Sequence, residues 1–123
     1  MQDVHLRSPV VAEYYRLLAR ECDPGWEAHA ELVERLAQRG CADYVVASTS
    51  HSMLCLHLAE QGDGLPPGRG FVSVGPPAER RYEVEYWAPR TGRKELRHCS
   101  AVELEDAVLS FLLRLQAESR DAP

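Results

Sequence analysis

Residues 81–88 read RYEVEYWA, and this stretch decides the fold. Its side chains alternate, with Tyr82, Val84 and Tyr86 opposite Glu83, Glu85 and Trp87. A period of two belongs to a strand with one face buried and the other open, and the glutamates mark the open face. Pro89 to Gly92 then supplies turn residues, after which Lys94 to His98 can return as an antiparallel partner, with Leu96 inward and the charges outward. A connection this short cannot hold a crossover helix, so the sheet is expected to be antiparallel.

Working toward the N-terminus, Phe71 to Val74 forms a short strand that Gly75-Pro76-Pro77 ends, and Gln61 to Gly70 (QGDGLPPGRG) is an exposed loop by its glycines and prolines. His51 to Leu58 alternates, with Ser52, Leu54, Leu56 and Leu58 on one face and His51, Met53, Cys55 and His57 on the other. The leucine face is expected to be core. Asp43 to Ser48 (DYVVAS) precedes it as a strand, with a polar break at Thr49 and Ser50.

Two helices lead the chain. Ser8-Pro9 pairs an N-cap with proline at the first helical position, and Val11, Tyr14, Tyr15, Leu18 and Cys22 follow at helical spacing over about 9–22. Asp23-Pro24 repeats that signal before Trp26, Ala30, Val33, Leu36 and Ala37, and Gly40 is placed to close the second helix as a left-handed cap. After the last strand, Ser100 and Glu103 have capping-box spacing, and Leu104, Val108, Phe111, Leu112 and Leu115 form an apolar stripe to about Gln116. The expectation is an α+β fold with two N-terminal helices, an antiparallel meander sheet of about five strands, and a C-terminal helix packed on the sheet. Residues 1–123 are read as a single domain, with 1–7 and 118–123 flexible.

Composition narrows the function. Apolar residues make up 45% and charged residues 27%, close to the globular averages of about 45–50% and about 25%, which argues against global disorder. No stretch approaches the roughly 18 apolar residues of a membrane span, and the N-terminus lacks a signal-peptide layout, so a cytoplasmic protein with no membrane partner is expected. The four cysteines, Cys22, Cys41, Cys55 and Cys99, contain no CxxC pair and are read as reduced thiols. The net charge of −5 is uneven, because five of the 14 basic and 10 of the 19 acidic side chains fall in residues 1–64. The one basic cluster, Arg80, Arg81, Arg90, Arg93, Lys94 and Arg97, is interleaved with glutamates, so no nucleic-acid partner is expected. An acidic surface instead suits a basic protein partner.

Patterns that could carry catalysis are few. His51, Cys55 and His57 on one strand face, with His98 and Cys99 from another, are residue types that zinc accepts, but no CxxC or HxxxH spacing accompanies them. Cys55 or Cys99 beside a histidine would need a lowered pKa to act as a nucleophile. The loop GDGLPPGRG lacks the Lys-Ser/Thr ending of a P-loop, no GxSxG turn is present, and Glu83 with Glu85 reads as solvated charge rather than an acid pair. No enzyme, cofactor or metal is therefore expected. Large aromatics beside a charged turn are residues that anchor protein interfaces, so Tyr86, Trp87 and Arg90, with Glu83, Glu85 and the loop residue Asp63, form the candidate partner-binding set. The acidic face of the second helix, Glu27, Glu31 and Glu34, can add complementary charge.

From Tyr44 onward the segments DYVVAS and MLCLHLAE, the strand Phe71-Val-Ser-Val-Gly75 after a glycine-rich loop, RYEVEYW with its return, and the final Ser-x-x-Glu helix containing Ser110-Phe111-Leu112 resemble the immunity proteins of bacterial polymorphic-toxin systems, in particular the family that guards against nucleic-acid deaminase toxins. The two leading helices depart from that family's layout. The resemblance implies a non-catalytic protein that blocks a basic toxin domain with acidic and aromatic side chains in a tight complex. A dimeric acidic secretion chaperone, which admits a homodimer, and a small metal-binding domain are the alternatives.

Overall fold

The computed structural model describes residues 3–59 and 69–120. The chain forms β1 (Val4–His5), α1 (Pro9–Glu21), α2 (Glu27–Ala37), β2 (Val45–Ser50), β3 (Met53–Leu58), β4 (Phe71–Val74), β5 (Arg81–Trp87), β6 (Lys94–Ser100) and α3 (Ala101–Arg120). The strands make one antiparallel sheet in the order β1-β2-β3-β4-β5-β6, a meander in which every strand pairs with its neighbour in sequence. The fold is α+β, with α3 seated on β4, β5 and β6 and with α1 and α2 paired beside it. Among the described residues no helix is long and apolar enough to cross a membrane.

One face of the sheet holds the core. Leu54, Leu56, Val72, Val74, Val84 and Tyr86 point toward the helices and are fully buried against Leu104, Val108, Phe111, Leu112 and Leu115 of α3. The capping box forms at its start, where the Ser100 main-chain N–H and hydroxyl both donate to Glu103 Oε1 at 2.9 Å. Arg35 of α2 and Arg39, two residues past its end, reach Glu105 of α3, the Arg39 Nε bond being 2.7 Å.

Several boundaries differ from the sequence reading, each for a local reason. The sheet has six strands rather than five, because Val4 and His5 pair with Ala47 and Val46 and carry Leu6 into the core; residues 4–6 are thus built into the fold. Two residues are too few to show a period. Pro24–Trp26 forms a single 3₁₀ turn capped by Asp23, so α2 begins only at Glu27. Gly40 opens another 3₁₀ turn, Gly40–Asp43, and is not left-handed. The last helix extends past Gln116 to Arg120.

The β2–β3 hairpin is the largest local revision. Ser50 pairs with Met53, so His51 and Ser52 are the two turn residues and β3 starts at Met53. Both have positive φ, 52° and 68°, as the tight turn that matches strand twist requires. Neither residue is favoured there, and α1 holds them in place: Tyr15 donates to the Ser52 carbonyl at 3.0 Å, and the Tyr14 and Ser52 hydroxyls share a bond of 2.9 Å. His51→Gly is expected to raise stability by about 0.5–1 kcal/mol in a urea titration, because the left-handed penalty disappears at an exposed side chain. Ser52→Gly should gain less, since it deletes the Tyr14 partner.

Candidate functional site

The described helices pack on the leucine face of the sheet, and the alternation of β5 places Glu83, Glu85 and Trp87 on the other, where Glu83 is exposed, Glu85 and Trp87 are half-buried, and Cys55, His57 and Ser73 of β3 and β4 are buried. Cross-strand register then decides their neighbours. Trp87 lies between Phe71 on β4 and Lys94 on β6. Its ring stacks on Phe71 at 5.4 Å between centroids and 11° between planes, and the Lys94 ammonium sits 5.4 Å from the ring centroid on this half-buried pair. Glu85 is beside Ser73 and Leu96 and accepts from Lys94 at 3.5 Å. Glu83 faces His98 at 3.6 Å. Glu83, Glu85 and His98 border a groove of about 360 Å³ whose walls also include Met53, Pro76 and Arg81.

The six candidate residues are therefore not one cluster. Glu83, Glu85 and Trp87 share the open face, as their spacing predicted. Tyr86 does not: it points the other way, is fully buried, and stacks on Phe111 at 5.3 Å, so it has no surface to offer a partner. Arg90 lies in the β5–β6 turn with φ 68°, and its guanidinium approaches the Glu118 carbonyl at 3.5 Å, at the end of α3 and away from the groove. Asp63 lies outside the described residues. On α2, Glu27 and Glu34 are held by Arg16, with bonds of 3.1 and 2.7 Å, and Glu31 and Glu34 are both exposed.

Leu96 corrects the reading of β6. It is opposite Glu85, on the open face, and 48% exposed. The residues of β6 that face the helices are Glu95, Arg97 and Cys99: Arg114 pairs with Glu95, the Arg97 guanidinium lies 4.8 Å from the Phe111 ring centroid, and Cys99 is buried. Phe71, Lys94, Leu96 and His98 were missed as members of this face. The signal for them is the register that follows from Val84 pairing with Arg97, which periodicity within a single strand does not contain.

The metal and nucleophile patterns do not assemble. His51 is in the turn, Cys99 faces the core while Cys55 faces away from it, and His98 is paired with Glu83. His57 is fully buried, with Nε2 2.9 Å from Asp3 Oδ2. Among the described residues no three of His, Cys, Asp and Glu gather as metal ligands. Burial pushes the thiols of Cys41, Cys55 and Cys99 above the usual range, with Asp3 and Glu85 adding to the effect at Cys55 and Glu103 at Cys99, so each is held as a neutral thiol at pH 7.

No family model, curated protein or solved structure matches this chain.

Proposed function

We propose that this chain is a non-catalytic binding protein that neutralises a cognate bacterial toxin in a tight protein–protein complex, with the open sheet face as its contact surface. The observation that carries this reading is the Phe71–Trp87 stack, a half-buried aromatic pair set in the sheet and ringed by Glu85, Lys94 and Leu96. Interface hot spots are built in this way, from an aromatic anchor whose polar neighbours exclude water. Strands on both sides fix the ring, so little side-chain entropy is lost on binding. Glu83 and Glu85 beside the groove favour a basic contact region on the partner.

The test is co-purification from the native host followed by titration of the identified partner with point variants. A single basic protein held one-to-one is expected, with Trp87→Ala weakening its binding about 30-fold or more, the size of a hot-spot loss. Tyr86→Phe, changed within the core, should leave the affinity alone. Equal affinity of the Trp87→Ala variant would remove this face from the interaction, and a partner with no toxic activity would remove the inhibitor reading.

A further inference from the structure

We propose that the free edge of β6 is a self-pairing surface, at which a second copy of this chain adds in antiparallel register with Leu96 opposite Leu96 of the second copy, so that two six-stranded sheets continue as one. This goes beyond the toxin-binding reading and does not depend on it.

The two edges of the sheet are unlike. At one end β1 is two residues long, whereas at the other β6 runs for seven residues, and Lys94 to His98 are all exposed. The direction of the main-chain groups can be read from both ends of β5. The Gly75 N–H donates to the Glu83 carbonyl, so Glu83 and Glu85 bond toward β4, and the Ala88 N–H donates to the Arg93 carbonyl, so the even residues of β5 bond toward β6. In the β5–β6 register the bonded residues of β6 are then Arg93, Glu95, Arg97 and Cys99. Lys94, Leu96 and His98 direct their N–H and C=O groups away from the sheet. Ser100 agrees with this parity, since its N–H is taken by the Glu103 cap rather than by β5.

Antiparallel pairing of two such edges must put even residues opposite even residues, which allows only registers two residues apart. Charge chooses among them. Centring the two-fold axis on Leu96 sets Glu95 opposite Arg97 of the second copy, twice by symmetry, and Lys94 opposite His98. Moving the axis to Glu95 opposes two glutamates, and moving it to Arg97 opposes two arginines, both unfavourable. Only the Leu96 register is self-complementary, and it joins the outward groups of three residues on each strand in about six N–H···O bonds. It also sets the two exposed leucines side by side on the open face. Because the opposite edge is a two-residue strand, the pairing closes as a dimer and does not propagate.

Sedimentation across the micromolar range tests this, with circular dichroism as the check on folding. A dimer is expected. Leu96→Pro removes an outward N–H that the sheet itself does not use, and should give a monomer. Glu95→Arg and Arg97→Glu should each weaken the dimer at least about tenfold, because each creates two like-charge pairs, and the double variant should recover it. If Leu96→Pro fails to fold, the charge-reversal set decides. A monomer throughout the range overturns the proposal, as does a dimer that none of these changes moves.

Discussion

Phe111→Ala is expected to lower the unfolding free energy by about 3–5 kcal/mol, read as a shift of the urea midpoint with little change in slope. The ring is only 3% exposed, stacks on Tyr86 at 5.3 Å, and lies under the Arg97 guanidinium. Alanine would leave a cavity beneath α3, the helix that covers β4, β5 and β6, and would strip Tyr86 and Arg97 of a shared neighbour. The total stability of a domain this size is about 5–15 kcal/mol, so the variant should be close to unfolding at 37 °C. Leu113→Ala on the same helix is the control. Leu113 is 60% exposed, and its removal should cost no more than about 0.5 kcal/mol. A loss below about 1 kcal/mol for Phe111→Ala would mean that α3 does not sit on the sheet as described.

How much of this could be read from sequence depended on whether the deciding information was local. The β5 alternation named its buried and open faces correctly, because both follow from a period of two within seven residues. The capping box of α3 and the proline-led start of α1 were legible for the same reason. Leu96 was misplaced because its face depends on how the β5–β6 turn sets the register, and that turn places Arg90 and Gly92 at positive φ. His51 and Ser52 extended the apparent alternation of β3, although a two-residue turn consumed them. Tyr86 shows a different failure: its residue type suggested an interface, while its position in the alternation already placed it inward. The Phe71–Trp87–Lys94 row was invisible for want of register, since its members are 16 and 7 residues apart along the chain but adjacent across the sheet.

The largest pH effect should come from His29, a residue outside the apolar stripe of α2 as read from the sequence. His29 is fully buried among Tyr15, Trp26 and Tyr82, and its Nε2 is 2.8 Å from the Gly75 carbonyl, which binds α2 to the end of β4. A carbonyl only accepts, so Nε2 carries the proton, and the neutral tautomer leaves Nδ1 bare; Nδ1 is buried without a partner. The signal was present in the spacing, since position 29 lies three residues after Trp26 and four before Val33 on the apolar stripe.

Burial lowers the His29 pKa from its ordinary 6.5 to about 4, with the hydrogen bonds to Gly75 and Val74 opposing part of the shift. The unfolded chain therefore takes up a proton as the pH falls below about 6.5, while the folded chain resists until about 4. Stability from this group is fully present above pH 6.5 and is lost across that window, reaching roughly 2–3 kcal/mol by pH 4.5. Glu34, paired with Arg16, and Glu103, bonded to Ser100, also have lowered pKa values and weaken the fold on the acid side, but both are solvent-exposed and unaffected by a change at position 29. His29→Gln isolates the histidine, because its amide can still donate to the Gly75 carbonyl and has no proton to take up. Denaturant titrations at pH 7.5 and 4.5 should show the natural chain losing roughly 2–3 kcal/mol more than the variant over that interval. Equal losses would mean that His29 is not held neutral in the core, and that the aromatic cluster around it opens to water as the pH falls.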